Sequence, residues 1–478
     1  MSRSTGWRSA LRRTAVVLGI SLAVASVPAL APAQPTQTDH LPQRATGVPT
    51  TKQTRGVSEA VVKAAKTYQP TSNFTATWKR ADALKVNPDA TTTTPRIPDN
   101  FPIMTDEVWV WDTWPLTGLD TKPMTYKGWH VIFSLVAPRN IPFGDRHWQA
   151  RIGYFYSKNG ANWTYGGHLF PDGYSKGSRE WAGTAIFTGK NTVTQFYTAS
   201  GKDGGGINST DFLQRLANSS GTIHADSKGV WFTGFRTHRI IAQADGKYYQ
   251  TQEQSVGAPI IYAFRDPYVF RDPKDKKIYA LFEGNTAGVA GTYECKPRDL
   301  GNLPPGHVVE SNANLWTGNI GLMRAGNKAM TKWKLLPPVL STNCTNQQTE
   351  RPHLVVRNGM YYLFTISHQF TYAPGLISDH RPDGVYGFVG PSLRSDYKPL
   401  NGSALVLGNP PDAPVQNYSH EVMPNLIVQS FIDTVPGPNG PIYGGTLAPS
   451  LQLQIDGANT YLSRVLPYAY IPAMKAVN

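Results

Sequence analysis

The feature that most constrains this chain is its punctuation. Short apolar runs at 108–111, 130–136, 151–156, 193–197, 260–264, 278–282, 354–356, 361–366 and 426–431 are each bounded by Gly, Pro, Asn or Asp, the pattern of many antiparallel strands. No amphipathic stretch sustains a helix beyond about three turns, and 38 Pro and 44 Gly argue against long helices. With 12 Trp and 23 Tyr the chain is too aromatic to be disordered. Asn358-Gly359 and Asn159-Gly160 follow such runs and suit type I′ hairpins, where both turn residues need positive φ. About 400 residues of short strands exceed an ordinary sandwich, so an all-β propeller is the expected architecture. Without visible repeats, pattern alone leaves the number of blades open.

The N-terminus has a different texture. Arg3, Arg8, Arg12 and Arg13 precede an apolar run from Ala15 to Val27, and Ala31-Pro32-Ala33 supplies small residues before a cut, which reads as a secretory signal peptide over 1–33. The run is shorter than the ~20 residues a membrane span needs, so no membrane association is expected once it is removed. The Arg12-Arg13 pair leaves the export route open. Residues 34–75, rich in Thr, Pro and Gln with one helix-like stretch at 58–67, read as an exposed leader, and 76–478 as the folded catalytic unit. Cleavage removes four arginines and no acid, taking the formal charge from +14 to +10. That surplus reflects few acids rather than basic blocks, which argues against a nucleic-acid partner. Cys295 and Cys344 are the only cysteines. In an exported chain they read as one disulfide rather than two thiols or a zinc site.

The chain has no P-loop, no Rossmann glycine fingerprint, no HExxH and no GxSxG. What remains is a set of acids in aromatic company. Asp112 ends the apolar run 108–111 between Trp111 and Trp114. Indole faces suit sugar rings, and an acid beside them can attack an anomeric carbon. Equally, Asp112 could cap a turn before Pro115 with the tryptophans as core. Asp266 and Glu350 each adjoin an arginine, Arg265 and Arg351, which can hold a carboxylate ionised. A second triplet, Arg271-Asp272-Pro273, leads into a charged turn and reads as structural. Glu180-Trp181 and Phe282-Glu283 add two more acids beside aromatic residues. Together they point to glycosidic chemistry, although spacing does not say which acids meet.

Five segments in this order, Trp111-Asp112-Thr113-Trp114-Pro115-Leu116, Arg179-Glu180-Trp181-Ala182-Gly183, Phe264-Arg265-Asp266-Pro267-Tyr268, Phe282-Glu283-Gly284-Asn285-Thr286 and Gln347-Gln348-Thr349-Glu350-Arg351-Pro352, resemble the fructosyltransferases of glycoside hydrolase family 68, the levansucrases and inulosucrases. The resemblance implies a five-bladed propeller with a central funnel-shaped pocket. It implies Asp112 as nucleophile, Asp266 as transition-state stabiliser and Glu350 as general acid/base. Trp111, Trp181, Arg265, Glu283, Arg351 and, less directly, Tyr418 then line a sucrose site. His368 matches an acceptor-site position. Ala182 stands where many members carry a serine that supports the nucleophile. Gln348 stands where a calcium-binding branch has an acid, so neither metal nor cofactor is expected. Cys344, six residues before Glu350, would brace the acid/base loop through Cys295. The implied protein is a secreted, extracellular, monomeric levansucrase that acts on sucrose and fructan acceptors. An inulosucrase or a mainly hydrolytic β-fructofuranosidase is the alternative within the family, and a non-catalytic carbohydrate-binding propeller the alternative outside it.

Overall fold

The computed structural model describes residues 73–203, 211–377 and 381–477. The signal peptide, the helix-like stretch and most of the leader fall outside the described residues. From residue 76 onward the described chain is organised as antiparallel strands, and these form five blades.

Blade 1 runs from the axis outward through Val108–Thr117, Trp129–Pro138, Arg151–Ser157 and Thr164–His168. Blade 2 is Arg179–Gly189, Thr192–Ser200, Gln214–Ala225 and Val230–Gln243. Blade 3 is Phe264–Arg271, Ile278–Asn285, Gly318–Ala325 and Trp333–Ser341. Blade 4 begins with Glu350–Arg357, Met360–Ser367 and Gly384–Gly390. Blade 5 begins with Asn417–Val422 and Ile427–Gly437. The innermost strands neighbour one another in the order 1 to 5, and the strand of blade 5 returns to that of blade 1, closing the ring.

Apolar faces pack between blades, and the two ends of the described chain are tied to the rim. Ala76–Thr77 pair in parallel with Leu340–Ser341 of blade 3, and Lys475–Val477 with Met124–Tyr126 beside blade 1. Trp78 fixes the first of these. It is 1% exposed, sits among Tyr372, Tyr386 and Phe388 of blade 4 and donates its indole N–H to Ser403 O; truncating such a side chain costs about 3–5 kcal/mol.

Two local expectations change. The run 260–264 is a strand only from Phe264: Ile261 is exposed, and Ala263 N donates to the side chain of Asn285 rather than to a ladder. Asn358-Gly359 forms the expected tight hairpin, with φ of +50° and +78° and Arg357 opposite Met360. Asn159-Gly160 does not. The Asn159 side-chain oxygen accepts from Ala161 N and Asn162 N, an Asx turn that opens a longer loop before Thr164.

Candidate active site

Each innermost strand is interrupted at the same level by a β-bulge. The register slips between Trp111 and Trp114, Trp181 and Gly183, Arg265 and Tyr268, Glu350 and His353, and Tyr418 and Glu421. A bulge inserts an unpaired residue and re-aims side chains, here in five dipeptides: Trp111-Asp112, Trp181-Ala182, Arg265-Asp266, Glu350-Arg351 and Tyr418-Ser419. In four of them the second residue has positive φ: Asp112 +47°, Asp266 +60°, Arg351 +44° and Ser419 +60°. Non-glycine residues hold such angles only where their surroundings enforce them. Blade 2 differs, with Gly183 completing its bulge; a Cβ there would lie 2.0 Å from Phe196 O.

The enforcement at Asp112 is visible on both sides. Ser134 donates its hydroxyl to Trp111 O at 2.6 Å. Arg351 Nη2 and Gln429 Nε2 donate to Thr113 O at 2.6 and 2.7 Å. Arg351 Nη2 also pairs with Glu421 at 3.2 Å, and Nη1 donates to the Ser419 hydroxyl. One guanidinium therefore ties the bulges of blades 4, 5 and 1 together. Breaking a buried pair of this kind costs about 3–5 kcal/mol.

The acids converge from blades 1, 3 and 4. A pocket of about 90 Å³ is lined by Asp112, Asp266 and Glu350, with Trp111, Arg351, His368 and Tyr418 around them. Glu350 is gripped through both oxygens: Arg265 Nη2 donates to Oε1 at 3.0 Å and the Tyr418 hydroxyl to Oε2 at 2.7 Å. Arg265 Nε reaches the buried Glu283 at 2.7 Å, so one cation bridges two carboxylates. Asp266 accepts from Arg351 N at 3.3 Å, and its own N–H donates to Thr198 Oγ1 at 2.8 Å.

The electrostatics follow. Burial raises the Asp112 carboxyl above its ordinary range, the Arg351 charge opposes this, Glu350 adds to it, and a hydrogen bond from Ser419 lowers it again. Asp266 is raised chiefly by burial, against the pull of Arg265 and with the push of Glu350 and Asp112. Glu283 is raised by burial, again against Arg265. Burial works to lower Arg265, but the charges of Glu283, Glu350 and Asp266 outweigh it and hold the guanidinium protonated.

His368 lies flat on Tyr418, with ring centroids 3.6 Å apart and planes 14° apart. Its Nδ1 pairs with Asp383 at 2.6 Å. Burial lowers its basicity, yet the charge of Asp383 and its hydrogen bond, then Glu350 and Asp433, raise it above the ordinary histidine value. Gln348 accepts from His368 N at 3.1 Å, a neutral side chain bracing the loop. Trp111 and Trp181 each carry a buried indole N–H with no protein acceptor. Trp181 packs beside Phe212 on blade 2, and Glu283 sits behind Arg265 rather than at the pocket wall. Glu180 is not part of the pocket: it is fully buried, pairs with Arg151 at 2.9 Å and accepts from Ile152 N at 2.8 Å, stitching blade 2 to blade 1. Cys295 and Cys344 form a disulfide with Cα atoms 5.9 Å apart.

The family model described as Levansucrase/Invertase, glycoside hydrolase family 68, matches residues 67–472. The chain belongs to this family. Among relatives of the levansucrase/invertase family, an extracellular sucrase of Zymomonas mobilis is 45% identical over 411 residues, covering 84% of this chain and 97% of its own. A levansucrase of the same organism is 47% identical over 402 residues, covering 83% and 92%. The β-fructofuranosidase catalytic domain of Microbacterium saccharophilum K-1 superposes with a TM-score of 0.78 at 39% identity, covering 86% of this chain and 97% of that one. Sequence reasoning overlooked Arg146, which pairs with Asp433 at 2.9 Å, and His147, Phe431 and Asp433, which complete the pocket wall. It also overlooked Ser419 and Asp383. The one signal available was the density of polar residues in 417–421, inside a strand that is buried throughout.

Proposed function

We propose that the protein is a secreted levansucrase that transfers fructosyl units from sucrose to fructan or water with retention, using Asp112, Asp266 and Glu350. The supporting observation is their convergence from three blades on one pocket, with Glu350 held by Arg265 and Tyr418. Glu350 donates a proton to the glucosyl oxygen as the bond from C2 of the fructosyl unit breaks, and Asp112 forms the new bond to C2. Asp266 stabilises the oxocarbenium-like charge without bonding. Glucose leaves. Glu350 then takes a proton from water or from an acceptor hydroxyl, which attacks C2 and frees Asp112. The unpartnered indole N–H groups of Trp111 and Trp181 suit fructosyl hydroxyls, and His368 on Tyr418 suits an acceptor sugar.

The names of the relatives support this reading and bear on the division between transfer and hydrolysis: an extracellular sucrase and a levansucrase are matched almost equally well. In this reading residues 76–478 are the catalytic unit, released as a monomer by cleavage after residue 33. No helix among the described residues is long and apolar enough to cross a membrane. Linkage analysis of the product from sucrose separates levan from inulin, and the ratio of free fructose to glucose measures hydrolysis.

The roles are tested with two leaving groups. Glu350→Gln should lower glucose release from sucrose by about 10²–10⁴-fold but still release fluoride from fructosyl fluoride, which needs no proton. Asp112→Asn should fail on both. Near-normal turnover of sucrose by Glu350→Gln would overturn the assignment, and an inactive wild type that binds fructan would favour a binding propeller.

A further inference from the structure

One large apolar ring stands in solvent beside the pocket. Phe370 is 59% exposed and lies on the short turn Gln369–Thr371, just past the strand Met360–Ser367 of blade 4. One face of its ring is stacked on His368, with centroids 5.1 Å apart and planes 21° apart. Tyr418 lies on the opposite face of His368, because two near-parallel rings this close to the imidazole do not fit on one side of it. Three rings therefore form a single stack. Its inner end is the Tyr418 hydroxyl on Glu350, and its outer end is the free face of Phe370. The stack is also fixed from its edge. Asp383 accepts from Gln369 N at 2.7 Å through one oxygen and pairs with His368 Nδ1 through the other, so the carboxylate that orients the imidazole also sets the turn carrying Phe370. The Thr371 hydroxyl closes that turn on His368 O at 2.7 Å. A surface held in place beforehand loses little entropy when a ligand lands on it.

The pocket has room for little beyond the reacting unit. Its volume of about 90 Å³ is well below the ~300 Å³ at which sites that engulf a whole ligand begin, so the rest of an acceptor chain lies at the mouth. Most of the Phe370 ring stays in water, so burial gives the fold little use for it. An aromatic face does suit the apolar C–H face of a sugar ring. We propose that Phe370 is an acceptor-specificity residue: its exposed face stacks on a fructosyl ring of the bound acceptor, one beyond the ring that reacts. The proposal rests on reading the site as a fructosyltransferase with His368 on the acceptor side. Held this way, the acceptor hydroxyl gives its proton to Glu350 and bonds C2 through its oxygen as the ester to Asp112 breaks. Water needs no such hold, so the platform acts on the division between transfer and hydrolysis.

Shielding His368 from water would also place an apolar side chain here, and Phe370→Leu separates the two roles: leucine still covers the imidazole but offers no flat face. The reading is the number of fructosyl units transferred, glucose minus free fructose, per glucose released from sucrose. It should fall about 3- to 10-fold in both Phe370→Ala and Phe370→Leu, the worth of one aromatic stacking contact, and the polymer should shorten. Phe370→Trp, which keeps and widens the face, should match or exceed wild type. Transfer to added xylose, a single ring that ends short of the platform, should keep the wild-type ratio in all three. An unchanged ratio in Phe370→Ala, rescue by Phe370→Leu, or an equal loss toward xylose would each overturn the proposal. A wild type that releases all its fructose as free sugar overturns the transferase reading beneath it, whereas a transferring wild type beside an unaffected Phe370→Ala removes only the platform.

Discussion

The triplet Arg-Asp-Pro occurs twice in blade 3, with Asp266 near one end of the strand Phe264–Arg271 and Asp272 just past the other. Both aspartates are buried. Asp266 sits in the axial bulge at φ +60°, facing Arg351 N and the acids of two other blades. Asp272 sits in the turn at the far end, where its carboxylate accepts from Lys274 N and from the Tyr361 hydroxyl of blade 4. One tripeptide thus supplies a carboxylate to the axial pocket at one end and joinery at the other. Its neighbours across the ring decide which, a distinction that the residues themselves do not carry.

The largest break in this comparison comes from Asp266→Asn. It should lower kcat on sucrose by about 10³-fold or more with little change in melting temperature, and a comparable loss of stability would mean that both aspartates are joinery. Asp272→Asn should do the reverse: denaturation should show a loss of about 1–3 kcal/mol from the disturbed turn and Tyr361 bond, with activity per folded molecule intact. Arg265→Lys sharpens the axial side. A lysine cannot fork between Glu283 and Glu350, so kcat/KM should fall about 10- to 100-fold with retained fold, measured by initial rates.

The smallest effect belongs to Asp383→Asn. Asp383 raises the folded-state basicity of His368 against the effect of burial, so it stabilises the fold most fully below the unfolded histidine value of about 6.5, and that contribution fades as pH rises through the higher folded value. The stability gap between wild type and Asp383→Asn should therefore be widest in mild acid and narrow toward alkaline pH, as chemical denaturation at a series of pH values would show. A gap that widened with pH would reverse the sign assigned to the pair.

Much of this was legible from the chain. The apolar runs with Gly, Pro, Asn and Asp between them gave strands because alternation and breakers are local signals. The acids beside Trp111, Arg265 and Arg351 stood out because the chain has few acids. The structure places the strand signal of 260–264 only at Phe264, since apolar side chains do not reveal that Ala263 N turns to Asn285. Glu180 beside Trp181 has the same texture as Asp112 beside Trp111, yet it faces Arg151 instead of the axis. A bulge decides which of two neighbouring side chains points inward, and a bulge has no composition of its own. Ser419 and Asp383 stood out less for another reason: their partners lie 68 and 15 residues away, Arg351 and His368.

The closed ring has a practical consequence. Positions 112, 266 and 350 lie in three different blades, so no fragment holding fewer than three blades contains all three acids, and a gap opened between any two of those blades parts one acid from another. Release of glucose from sucrose is then a seal test: it reports, in a single colorimetric reading, whether the whole wheel has shut.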